Sequence, residues 1–196
     1  MLITRSRKVL LVLPLLVLGC ASVAPSSNVV PTVRPGQAEQ VSFVISGRIS
    51  ARHNEERTST TLRWTHHNAE DDILLFGPLG KVVAHIQKDA HGISLDAGNQ
   101  HYIAPNTEVL TQQVLGWSLP LSGMRYWVLA LPSPESAFSV ELDANSQILL
   151  LQQAGWTIRY TRYATTASDS LPLRMTLQRD NVQIQLLIDE WEVRQE

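Results

Sequence analysis

The sequence predicts a mainly β protein: a barrel or strongly curved antiparallel sheet of about eleven strands, with two amphipathic helices inserted. Three observations predict it. Apolar residues recur with a period of two over most of the chain, turn residues separate these runs, and one central stretch changes to helical spacing. Many short strands joined by tight turns close or curl rather than lie flat.

The first strand starts at Val41. Val41, Phe43, Ile45, Gly47, Ile49 and Ala51 share one face, and Ser42, Ser46, Arg48, Ser50 and Arg52 share the other, with Val44 departing from the pattern. Asn54-Glu55 turns the chain into a second strand, where Thr60, Leu62 and Trp64 alternate with Ser59, Thr61, Arg63 and Thr65. Further strands are expected over 72–76, 81–87, 92–97 and 100–104, then over 138–142, 147–152, 156–163, 173–179 and 183–193. Gly77-Pro78, Gly98-Asn99, Asp143-Ala144-Asn145, Ala154-Gly155 and Asp180-Asn181 supply turns between them. Asp71-Asp72 reads as a solvated turn ahead of the third strand.

Two helices interrupt the strands. Asn106 is placed to cap a helix from Thr107 to about Gly116, with Glu108 in the first turn where the helix dipole favours a negative charge. Pro120 opens a second helix to about Leu131, in which Leu121, Met124, Val128 and Leu131 form a stripe. Pro132 and Pro134 end it. A curved sheet with a helical plug or lid buries both sets of apolar faces.

The N-terminus reads as an address. Arg5, Arg7 and Lys8 precede an apolar run from Val9 to Leu18, broken by Pro14. That run is shorter than the about 20 residues a membrane-spanning helix needs, and a short apolar core behind a basic flank is a secretory signal. Val17-Leu18-Gly19-Cys20 looks like a lipobox, after which the signal is cut and the cysteine sulfur takes a diacylglyceryl group. Residues 1–19 are therefore expected to be a lipoprotein signal peptide and Cys20 the lipidation site, with acyl chains such as palmitate as the anchor. Two or more chains hold a protein stably to a membrane. Inner-membrane retention of lipoproteins generally depends on an Asp after the cysteine, so Ala21 predicts the periplasmic face of the outer membrane. Residues 20–38 are rich in proline and serine and read as a lipidated flexible tether; 39–196 read as a single domain.

Cleavage before Cys20 removes 19 of the 196 residues and leaves 177, enough for one domain with a substantial core. Cys20 is the only cysteine, so no internal disulfide is expected. Three of the 16 basic side chains leave with the signal, so 13 basic face 18 acidic, a net of −5. That balance argues against nucleic acid and against attachment through a polybasic surface.

Catalytic patterns are missing: there is no G-x-S-x-G, no H-E-x-x-H and no Gly-rich phosphate loop. The six histidines are scattered, and His66-His67, as neighbours on a strand, point to opposite faces and make a poor metal pair. No metal, cofactor or enzymatic activity is expected. What the chain has instead is apolar surface, on both helices and on the strand faces. A packed core and a lipid cavity look the same in composition, so three functions stay open on these residues: a lipid-binding protein, a structural or assembly lipoprotein with a packed core and a protein ligand, and a lipid-modifying hydrolase, for which the chain shows no nucleophile and base.

Several segments, in order, carry a resemblance. They are Ile45-Ser46-Gly47-Arg48, Leu62-Arg63-Trp64, Leu74-Leu75-Phe76-Gly77-Pro78-Leu79-Gly80, Gly116-Trp117-Ser118-Leu119-Pro120-Leu121, the helical Met124 to Pro132 block, Gly155-Trp156-Thr157-Ile158-Arg159-Tyr160 and Ile188-Asp189-Glu190-Trp191. Through them the chain resembles the LolB family of outer-membrane lipoprotein receptors. The resemblance implies an unclosed antiparallel β-barrel with a helical lid over an apolar cavity. It implies a monomeric receptor that accepts lipoproteins from the periplasmic carrier LolA and incorporates them into the outer membrane, without catalysis. It implies that Leu79 protrudes and helps deliver cargo to the membrane. Trp64, Trp117, Met124, Trp127 and Val128 are the residues expected to line the acyl cavity, and Met124 and Met175 suit it as adaptable fillers.

Overall fold

The computed structural model describes residues 41–195; Cys20, the signal and the tether lie outside the described residues. Eleven strands form one antiparallel sheet: β1 Val41–His53, β2 Glu56–His67, β3 Glu70–Phe76, β4 Val82–Lys88, β5 Ile93–Ala97, β6 Gln100–Ala104, β7 Phe138–Leu142, β8 Ile148–Gln153, β9 Trp156–Tyr163, β10 Pro172–Arg179 and β11 Val182–Gln195. Two helices, α1 Thr107–Leu115 and α2 Leu121–Trp127, lie between β6 and β7.

The strand order is β6-β5-β4-β3-β2-β1-β11-β10-β9-β8-β7. Two meanders, β1–β6 and β7–β11, are thus joined through the pairing of β1 with β11. The edges β6 and β7 do not pair with each other, so the sheet is unclosed, and the helices occupy the chain between those two edges. At the β1–β11 seam the register shifts between Ser46 and Gly47. A side chain at Gly47 has no room, because a Cβ there would stand 2.1 Å from the Leu187 carbonyl oxygen.

Alternation decides which face is buried. On β1 and β2, Phe43, Ile45, Leu62 and Trp64 are buried, and on β9 to β11 so are Trp156, Ile158, Tyr160, Met175, Leu177, Ile184, Leu186 and Ile188. α1 is capped as its residues require. The Asn106 side chain accepts the Val109 N–H at 2.9 Å, and Gly116 ends the helix in the left-handed region at φ 77°.

Two sequence expectations change. The second helix ends at Trp127, short of Leu131. Ala130 adopts φ 56°, and the Leu131 N–H reaches back to the Tyr126 carbonyl while the Ala130 N–H reaches Trp127, a Schellman closure that turns the chain before the prolines do. Asp71 is not in a solvated turn. It lies in β3, is 3% exposed and is paired opposite His66.

Candidate functional site: an apolar cavity under the helices

The register places five turns at one end of the sheet. His53 pairs with Glu56 and with Val182, Phe76 with Val82, and Ala97 with Gln100, so the tips at 54–55, 77–81, 98–99 and 180–181 project the same way. The tip at 154–155 joins them, because β9 and β10 run through Thr157–Gln178 to the same end.

A cavity of about 470 Å³ lies between α1, the start of α2 and the concave face of β1–β5 and β11. Such a volume is in the about 300–1,000 Å³ range of sites that enclose a small ligand. Its wall is aliphatic and aromatic: Leu62, Trp64, Ile73, Ile86 and Leu95 from the sheet, Leu110, Val114, Trp117 and Met124 from the helical segment. Polar residues gather at the end with the turn tips, where His53, Glu56, Thr58 and Thr60 line it. Exposed Glu56 marks where that end meets solvent.

A second depression, of about 440 Å³, lies at the opposite end of the sheet. Glu70, Asp72, Gln87, Lys88 and Asp89 line it. Asp89 there accepts the backbone N–H groups of His91 and Gly92, and the His91 bond above all holds its carboxyl below the usual range. Burying an acyl chain against charged side chains would strip them of water, which is unfavourable, so the first cavity is the candidate lipid site.

The cavity brings together three of the five residues expected in it: Trp64, Trp117 and Met124. Trp127 and Val128 stand elsewhere. Trp127 packs on the other half of the sheet, with its ring 6.5 Å from Trp156 and its indole N–H donated to Gln153 Oε1 at 2.8 Å. Val128 is fully buried beyond the end of α2. Val128 belongs to the stripe read for the second helix, but that stripe faces two environments: its start closes the cavity and its end packs into solid core. Met175 also belongs to that core and not to the cavity lining.

The two helices are tied to one another. Thr111 Oγ1 accepts the Leu119 N–H at 2.8 Å, and Ser122 donates to Glu108 at 3.0 Å. Sequence reasoning missed Gln153, which helps tie α2 to the sheet. It is buried and bonds to Trp127, to both backbone groups of Ser133 and to the Ser136 carbonyl. A glutamine at a strand end carries no pattern that marks it for such a role.

Leu79 is in the 3-10 turn Pro78–Gly80, between β3 and β4. It is fully exposed, at 105% of its reference area, and sits at φ 71°, a left-handed conformation that a leucine rarely adopts. The Gly77 N–H donates to the Lys81 carbonyl at 2.8 Å and closes the loop at its base. Val82 and Val83, each 47% exposed, flank it. Trp64, Trp117, Met124 and Leu79 therefore belong to one half of the molecule, with Leu79 at the end where the cavity is polar and open.

A family model described as outer membrane lipoprotein LolB matches residues 41–191. Proteins named outer-membrane lipoprotein LolB are similar in sequence: that of Nitrosomonas europaea is 36% identical, over 91% of this chain and 88% of its own. That of Stutzerimonas stutzeri is 36% identical over 93% of each, and that of Chromobacterium violaceum is 34% identical over 95% of this chain and 98% of its own. The crystal structure of a LolA superfamily protein from Nitrosomonas europaea is similar at a TM-score of 0.48 and 10% identity, covering 82% of this chain and 92% of that one. The match of the family model over residues 41–191, together with relatives of this identity along nearly the whole chain, shows that the chain belongs to the LolB family of outer membrane lipoproteins.

Proposed function

We propose that this protein is a receptor for acylated lipoproteins. It accepts them from a soluble periplasmic carrier, LolA, holds their acyl chains in the cavity under α1 and α2, and releases them into the outer membrane. The apolar cavity of about 470 Å³ carries this reading. A scaffold lipoprotein has no use for such a space, since unfilled apolar volume costs stability.

The physical task is the transfer of a chain that water rejects. Each exposed methylene costs about 0.8 kcal/mol, so cargo must pass from one dry site to another. No nucleotide drives the handover; direction comes from differences in affinity between carrier, receptor and bilayer. Cys20 carries the lipid anchor and holds the receptor at its membrane, and residues 20–38 are the tether. The folded domain does the transfer.

Leu79 delivers. A leucine kept at φ 71°, outside the core and beside the open end of the cavity, is retained for its side chain and not for packing. Insertion of one leucine is worth roughly 1.5–3 kcal/mol. That suffices to orient the open end toward lipid and is too little to anchor the protein.

Site-specific photocrosslinking tests the acyl site. Crosslinkers at Trp117 and Met124 should label acylated cargo strongly, and one at Arg179, outside the cavity, weakly. Equal labelling at all three positions would refute the cavity as the acyl site.

A further inference from the structure

We propose that Trp64, held in place by Asp71, is the floor of the acyl site and sets the length of chain it accepts. This rests on the reading of the cavity as an acyl site. On β2, β3 and β4 the lining ends at Trp64, Ile73 and Ile86, which the register sets side by side, and on β5 it runs one step further, to Ile93. Beyond Trp64 the inner face of β1 and β2 fills with side chains. The Phe43 ring meets Trp64 edge-on at 5.3 Å, and the ring of His66, its partner across the strand pair, lies 5.1 Å from it. A chain entering from the polar end thus runs along Leu62 and Leu75 and stops against the indole.

The indole is not free to tilt. Asp71 Oδ1 accepts the Trp64 Nε1–H at 2.9 Å and stands 2.8 Å from His66 Nδ1, while Lys88 Nζ lies 3.7 Å from Oδ2. Asp71, Trp64 and His66 are all buried. A buried carboxylate is costly unless it is bonded and paired, and here the bonds it makes fix the ring that faces the cavity. Asp71 acts through Trp64 and is a positioning residue. Smaller side chains without a hydrogen bond, such as leucine or phenylalanine, would leave the floor deeper and able to yield to a longer chain.

The test is a length series. Synthetic lipopeptides with lauroyl, myristoyl, palmitoyl and stearoyl chains are titrated against the mature protein bearing Cys20→Ala. Affinity should rise about fourfold per methylene while the chain finds wall, then stop rising when it meets Trp64. Trp64→Phe should move that plateau to a longer chain. Asp71→Leu should blunt it, and Asp71→Asn, which keeps an acceptor for the indole, should preserve it. A plateau that stays in place in Trp64→Phe, or a series with no plateau, would overturn the floor. Thermal melts establish which variants fold; should Asp71→Leu not fold, Trp64→Phe decides. Failure of every lipopeptide to bind the unaltered cavity would instead overturn the acyl-site reading itself.

Discussion

Tyr160 on β9 donates its hydroxyl to the backbone carbonyl of Trp127 at 2.8 Å, and this bond fastens the end of α2 to the sheet. Gln153 fastens the same region through four further bonds, at 2.7 to 2.8 Å. α1 is held differently. Among the described residues its side-chain bonds run to its own turn and to the segment leading into α2, not to the sheet. The lid therefore has a fixed end and a loose end, and the cavity lies under the loose one.

Hydrogen exchange should read this asymmetry. Amides of α1 are expected to exchange faster than those of the Met124–Leu131 turn, because among the described residues no side-chain hydrogen bond ties α1 to the sheet. Equal protection would contradict a lid that pivots on the end of α2.

Gln153→Ala should be among the most destabilising single changes. It strands the indole N–H of Trp127 and the backbone groups of Ser133 in a buried setting. One unsatisfied buried group costs about 1–3 kcal/mol, and water reaching the site satisfies some of them, so a loss of about 3 kcal/mol is expected in urea titration. Val128 and Trp127 should lose protection with it.

Stability should fall above about pH 10. Burial pushes the Tyr160 hydroxyl well above its ordinary value, and it pushes Tyr163 up as well, aided by the negative charge of Asp143. A raised pKa on a phenol means that the folded chain keeps a proton that the unfolded chain releases. Below about pH 10 both states are protonated and nothing changes; above it the unfolded state gains. Tyr160→Phe should cost about 1 kcal/mol at neutral pH by loss of its hydrogen bond, and should flatten the decline in alkali. An unchanged alkaline slope would remove Tyr160 from that account.

Leu79 separates stability from delivery. Leu79→Gly relieves a left-handed leucine, worth roughly 1–2 kcal/mol before the added freedom of the unfolded glycine is subtracted. The variant should be as stable as the parent or up to about 1 kcal/mol more so, yet slower to release cargo. Leu79→Glu should likewise accept cargo from the carrier and fail to release it to vesicles. Normal delivery by Leu79→Glu would end the proposed role of the loop.

The strand pattern was legible because each strand has one buried face, so alternation reports it directly. All eleven strands, the Asn106 cap and the Gly116 stop follow from local chemistry. What local chemistry does not carry is which buried residues face space and which face one another. Trp117 and Trp127 belong to the same inserted segment, yet one lines the cavity and the other packs on Trp156. Asp71 looked solvated because two adjacent aspartates usually are; its burial depends on Trp64 and His66 across the strand pair. The end of α2 depends on Ala130 taking a conformation that its side chain does not advertise.

Transfer of acyl chains from carrier to receptor should need no energy source. Cargo-loaded LolA is mixed with the mature protein bearing Cys20→Ala, and with the same protein carrying Ala84→Phe, which places a ring in the cavity wall. Cargo should move to the first, with no nucleotide present, and stay on the carrier with the second, both being folded by circular dichroism. Transfer to neither protein, or equal transfer to both, would contradict the account.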